Sequence, residues 1–142
     1  MGRERVLGEM MHLGLAATEL GPDGFLPPDP RELRDDMLAR GLRIAGGFVP
    51  SVLHRQDRFD AGLDDLEHAA GRLAAVGGDV LVLGPDTHLD GLDTSIELDE
   101  TEWSRLLLNL RRLQDLAAAH GLRTALHPHW GWRSSRRRTS IA

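Results

Sequence analysis

Cysteine is absent from the 142 residues, so neither disulfides nor thiolate chemistry can contribute to fold or function. Lysine is absent too, and all 17 basic residues are arginine. With Ala, Gly, Asp and Leu abundant, that bias reflects a GC-rich coding sequence and identifies no partner. No apolar run approaches the roughly 18 residues a membrane span needs. The opening MGRERVLGEMMHLGL is an amphipathic helical pattern without a signal peptide's apolar core. A cytoplasmic location and no membrane partner are therefore expected. No glycine-rich phosphate fingerprint follows any strand-like run, which counts against a nucleotide-binding doubly wound sheet.

What is present fits one globular domain: 41% hydrophobic and 27% charged residues. The length is short of the about 250 residues of a complete eight-stranded α/β barrel. Charge is unevenly spread. All 22 acidic residues precede position 130, beside 13 of the arginines, so residues 1–129 carry 13 − 22 = −9. Residues 130–142 carry four arginines and no acid. An acidic body is a poor surface for nucleic acid, and the expectation is that nucleic acid is not a partner.

One unit recurs: an amphipathic helix, a glycine able to close it in the left-handed conformation, a short apolar strand, and a turn with proline. The first runs from a helix at about 3–13 through Gly14 into LAATEL. The second is RELRDDMLARGL followed by RIAGGFVP. The third has a helix from about Asp60 to Val76, then Gly77, Gly78 and DVLVLGP. The fourth is TEWSRLLLNLRRLQDLAAAHGL followed by RTALHPH. Strands alternating with helices of this length pair in parallel, giving an α/β fold. The near-continuous apolarity of DVLVL fits a strand covered on both faces. Four units make either half of a (β/α)8 barrel or a small doubly wound sheet.

In both architectures ligands bind at the carboxyl ends of parallel strands. Those ends carry Glu19, then Phe48 and Pro50, then Asp86 and His88, and finally His127 and His129. In an extended strand, residues two apart project from one face, so His127 and His129 can present two imidazoles side by side to a metal or a hydroxylated substrate. Against this stand plainer readings. Glu19 would only pair with an arginine, and the histidines would only cap a strand. His54 and His88 follow the second and third strands and could reach a site. His12, His68 and His120 sit on helices and read as solvated or helix-end residues, and Trp103 as packing. The run LDGLDTSIELDE lacks EF-hand spacing and reads as a loop capping the fourth helix.

The strings ATELGPDGFLP, GLRIAGGFVPSVLH, GGDVLVLGP and GLRTALHPHWG, in this order and spacing, resemble the sugar phosphate isomerase/epimerase superfamily of xylose isomerase-like TIM barrels. Within it they look most like the inosose dehydratase-like branch. The resemblance covers about residues 4–131 and implies a partial (β/α)8 barrel of four helix–strand units, with a strand before the first helix and later strands missing. It implies a divalent-metal enzyme (Mn, Co, Mg or Zn) acting on a small sugar or polyol. Proton removal beside a carbonyl would be followed by isomerisation, epimerisation or dehydration. The family's metal ligands, two glutamates, an aspartate and a histidine, lie on later strands. The resemblance therefore leaves Glu19, His127 and His129 as substrate-facing candidates and assigns no metal ligand here.

After His129 the family pattern stops and WGWRSSRRRTSIA follows. The expectation is a partial barrel over 1–129 and a basic tail over 130–142, read out of frame through a single-base deletion. Such a fragment would lack isomerase or dehydratase turnover, bind metal poorly and self-associate through exposed barrel edges. Two alternatives remain: an endonuclease IV-like metal-dependent hydrolase fragment, and a non-catalytic half-barrel interaction protein using the arginine tail.

Overall fold

The computed structural model describes residues 2–87 and 96–127. Five helices and four strands alternate: α1 (Arg3–His12), β1 (Ala17–Glu19), α2 (Pro30–Ala39), β2 (Arg43–Ser51), α3 (Gln56–Ala61), α4 (Leu63–Ala75), β3 (Val80–Pro85), α5 (Glu100–Ala119) and β4 (Arg123–Leu126). The strands form one parallel sheet in the order β1-β2-β3-β4. Because spatial order follows chain order, right-handed crossovers return every helix to the same face. A doubly wound sheet would need a reversal of strand order, and none occurs among the described residues. The architecture is four strands of a (β/α)8 barrel with their helices outside.

The four helix-to-strand junctions share one closure. At Gly14, Gly41, Gly77 and Gly121 φ lies between 69° and 82°. In each, the glycine N–H bonds three residues back and the next N–H five residues back, as in Leu15 N to Met10 O and Leu122 N to Ala117 O. A Cβ at these glycines would meet nothing within 4 Å, so the backbone angle alone requires them.

Helix starts are equally local. The Asp29 carboxylate accepts from the Arg31 and Glu32 N–H groups, with Pro30 opening α2. Those two bonds hold the Asp29 carboxyl below its usual range. Asp99 starts α5 with a reciprocal capping box to Glu102, at 2.8 and 3.1 Å. That part of the LDGLDTSIELDE run caps a helix as expected, while residues 89–95 of it lie outside the described residues. Replacing Asp99 by alanine should lower stability by about 1 kcal/mol in chemical denaturation, with asparagine retaining most of it.

One element departs from the sequence expectation. The single helix from Asp60 to Val76 is two helices meeting at Gly62. Gly62 N–H bonds back to Arg58 and Phe59 carbonyls while its own carbonyl accepts from Leu66, so it ends one helix and starts the next. Glycine's poor helix propensity accounts for the break there, and Phe59 on the first of the two helices is fully buried.

The core lies between the sheet and the helices. α4 contributes Leu66, Ala70 and Leu73, and α5 contributes Leu106, Leu113 and Ala117, each set at helical spacing. They meet Ile44, Leu81 and Leu83 from the strands. Trp103 packs against this cluster, as its position in the sequence suggests.

Candidate functional site

The opposite, helix-free face of the sheet is where side chains remain accessible. Its membership is fixed by an irregularity in β2. Thr18 pairs with Ile44 but Glu19 pairs with Gly46, so one residue of β2 is extra and the alternation reverses there. Beyond it, a Cβ on Gly47 would meet Leu20 and Leu73, which places Gly47 on the helix side. Phe48 therefore faces the concave side, although Ile44, four residues earlier, faces the helices.

Register then assembles that face row by row. Glu19, Gly46, Val80 and Arg123 form one row, and Phe48, Val82 and Ala125 the next. Pro50 pairs with Gly84 in a third. His127 follows β4, its backbone N–H still donating to the Leu83 carbonyl at 2.8 Å. The concave rows carry exposed Glu19, Phe48, Arg123, Ala125 and His127, whereas Ile44, Leu81 and Leu83 on the other face are buried. Two glycines keep the concave face shallow. At Gly46 a Cβ would stand 2.7 Å from the Val80 carbonyl oxygen, so only glycine fits. At Gly84 a Cβ would collide with the Phe48 ring.

Glu19 and His127 thus share a face, but they stand at opposite margins of the sheet. Three strand spacings of about 4.8 Å separate their strands, too far for both to bind one ion at 2.0–2.6 Å. Among the described residues no three His, Cys, Asp or Glu side chains gather to hold a metal. No described side chain pairs with the Glu19 carboxylate, so the arginine-partner reading has no support there. His127 meets Phe48 edge-on, with ring centroids 6.0 Å apart and planes at 90°. His129 and His88 lie outside the described residues, as does the 130–142 tail.

The other described histidines are His12, His54, His68 and His120. His54, in the loop after β2, is buried at 1% exposure. His120 pairs with Glu67 at 2.8 Å, joining α5 to α4. His12 and His68 are exposed on their helices.

Two features of the rim were not read from the sequence. Asn109, fully buried on α5, donates from Nδ2 to the Leu53 carbonyl at 2.9 Å and receives Arg112 Nη1 at 3.3 Å on Oδ1. Arg112 also reaches Asp60 at 3.1 Å, and the Gln56 amide, followed by Arg112, holds that carboxyl below its usual range. The signal was a polar residue on the apolar stripe Leu106, Asn109, Leu113. The second feature is a cavity of about 850 Å³ between the loop after β1, the end of β2 and α4. Arg72 crosses it to reach Asp23 at 3.2 Å and the Pro27 carbonyl at 3.3 Å.

Comparison with known proteins agrees with this architecture. The family model for the xylose isomerase-like TIM barrel matches residues 9–140. Inosose dehydratase of Salmonella agona (strain SL483) is 30% identical over 135 residues, covering 90% of this chain and 44% of the relative. The inosose dehydratase of Bacillus velezensis is 30% identical over 134 residues, with the same two shares. Among solved structures, the IOLI protein with a bound zinc atom superposes with a TM-score of 0.73 at 14% identity, covering 90% of this chain and 47% of that one. An L-ribulose 3-epimerase gives 0.68 at 19% identity, covering 87% and 43%. The chain spans less than half the length of the inosose dehydratases it matches. Four parallel strands in chain order, helices on one face and a family match over most of the sequence lead to one assignment: the chain belongs to the xylose isomerase-like TIM barrel family.

Proposed function

We propose that this chain contributes the strand-end face of a sugar or inosose isomerase, epimerase or dehydratase, with a keto sugar or keto-polyol as substrate. One observation carries the reading: the helix-free face presents Glu19 at the end of β1, Phe48 within β2 and His127 just after β4, while the other face is buried. Relatives named inosose dehydratase and an epimerase neighbour support the substrate class. All three reactions begin by removing a proton beside a carbonyl, which needs a base and a hydrogen-bonding partner for the oxygen. A Glu19 carboxylate supplies the first chemistry and the His127 imidazole the second, approaching from opposite flanks. His129 belongs to the same proposal by its place in the sequence.

A divalent metal (Mn, Co, Mg or Zn) is expected for the complete enzyme, and a zinc-bearing fold neighbour supports metal use in the family. The described residues do not fit such an ion, since no three ligating side chains converge. The 1–129 body is proposed as the barrel part and 130–142 as a separate basic tail. No described helix is long and apolar enough to cross a membrane, and the proposed setting is the cytoplasm. Exposed Leu107 and Leu108 on α5 and Leu126 on β4 support self-association.

Two measurements test this. An inosose should perturb the His127 ring resonances, and an unperturbed His127 at saturating ligand overturns the assignment. With Mn²⁺ or Co²⁺ added, the chain should show no turnover of an inosose or a ketose. Measurable turnover would mean that the reaction needs no ligand set beyond these residues.

A further inference from the structure

The Phe48 ring lies over the one place in its row neighbourhood where β3 has no side chain. A Cβ at Gly84 would collide with Cζ and Cε2 of that ring. Those atoms are its free end, so alanine at 84 would swing the ring aside rather than break the sheet. The His127 imidazole stands beside the phenyl group with the two ring planes perpendicular, 6.0 Å between centroids. Gly84 admits the ring and His127 borders it, yet the side chain keeps 42% of its surface exposed. An aromatic seated this way on a ligand-binding face, when the opposite face holds the core, is a recognition surface.

We propose that Phe48 is a substrate-positioning residue: an aromatic platform for the apolar C–H face of a cyclic polyol or keto-polyol, turning the ligand's polar rim toward His127. The inference rests on the sugar or inosose reading above and adds ring form to it. A six-membered carbocycle with equatorial hydroxyls carries its axial C–H bonds on its two faces, so it is an apolar disc with a polar edge. Phe48 has no hydrogen-bonding group and can recognise only the disc. The His127 nitrogens can recognise only the edge. An open-chain polyol presents no such face. Shallow glycine positions at 46 and 84 leave room for a flat ligand beside the ring.

The test titrates the full chain with an inosose and with an open-chain hexitol, following ligand C–H and His127 resonances by NMR. Inosose C–H signals should move upfield as they enter the shielding region over the ring. Phe48→Leu and Gly84→Ala should each weaken inosose binding about three- to tenfold. Phe48→Tyr should retain wild-type affinity, and hexitol binding should be the same in all four proteins. Phe48 projects from the core-free face, so Phe48→Leu is expected to keep the wild-type circular dichroism. Gly84→Ala retains the phenyl group and tests its placement separately. Inosose binding that is undiminished in Phe48→Leu and Gly84→Ala, with His127 still shifting, overturns the platform and leaves the polyol reading standing. Failure of the wild-type chain to bind either polyol overturns both.

Discussion

Replacing Phe59 by alanine is expected to cost about 3–5 kcal/mol of stability and to lower Tm by roughly 10–20 °C in a thermal circular dichroism scan. The side chain is 0% exposed and sits on α3, a helix of six residues with no side-chain cap at its start. So short a helix has little stability of its own, and tertiary packing must hold it. Phe59 supplies that packing. The Arg112 guanidinium of α5 lies 4.9 Å from the ring centroid, adding a cation–π contact across the two helices. Truncation to alanine therefore removes apolar burial, leaves a cavity, and takes the ring from under the Arg112 guanidinium, which keeps its bonds to Asp60 and Asn109. Phe59→Leu should recover more than half of the loss, because it refills most of the volume. Arg112→Met, which removes the cation over the ring together with its bonds to Asp60 and Asn109, should cost less than about 2 kcal/mol. A Phe59→Ala loss below that figure would mean α3 is not anchored by its aromatic residue.

The consequence reaches the rim of the sheet. α3 follows β2 across a short loop that contains Leu53, 1% exposed, and His54. Loosening α3 would release the end of the strand that presents Phe48 and Pro50. The stability of the helix layer and the shape of the concave face are linked through that connection.

Much of this organisation is legible in the residues because its causes are local. A left-handed closure needs glycine, and Gly14, Gly41, Gly77 and Gly121 stand at the four junctions, so the repeated helix–strand unit reads directly from the chain. After Asp79 the run VLVL is apolar throughout because β3 is central in the sheet, flanked by β2 and β4. The places of Glu19 at the end of β1 and of His127 just after β4 follow from the same pattern. Their grouping with Phe48 does not. Simple alternation through RIAGGFVP would put Ile44, Gly46 and Phe48 on one face, and it is the extra residue in β2 that turns Phe48 away from Ile44. That irregularity belongs to pairing with β1, which no single-strand pattern encodes. For the same reason the closeness of Phe48 to His127, two strands away, and the distance of Glu19 from His127 are properties of the sheet. The split at Gly62 was hidden because Phe59 and Leu66 sit seven residues apart, a spacing a continuous helix shares.

Asn109 offers the second large effect, and here the loss comes from polarity rather than volume. Its Nδ2 is the donor that satisfies the carbonyl of buried Leu53, while its Oδ1 accepts from Arg112. Asn109→Ala should cost about 2–3 kcal/mol by chemical denaturation, since it leaves a buried carbonyl without its donor as well as a small void. Faster amide exchange is expected at Arg55 and Gln56, in the loop that the contact ties down. A loss within 0.5 kcal/mol of zero would refute the role. Asn109→Asp separates charge from size. It keeps the shape but turns an acceptor toward an acceptor; burial and the facing Leu53 carbonyl favour the protonated acid over the opposing pull of Arg112, which is partly exposed and already paired with Asp60, so the folded pKa is raised above the unfolded value. The sign follows: the variant is most stable below the unfolded pKa, where a protonated carboxyl can donate to Leu53, and loses stability as pH rises through the folded pKa. Wild-type asparagine carries no such dependence. A variant that is destabilised at neutral pH and partly restored in acid would therefore show that the donor toward Leu53, and not the volume of the side chain, holds the β2–α3 loop against α5.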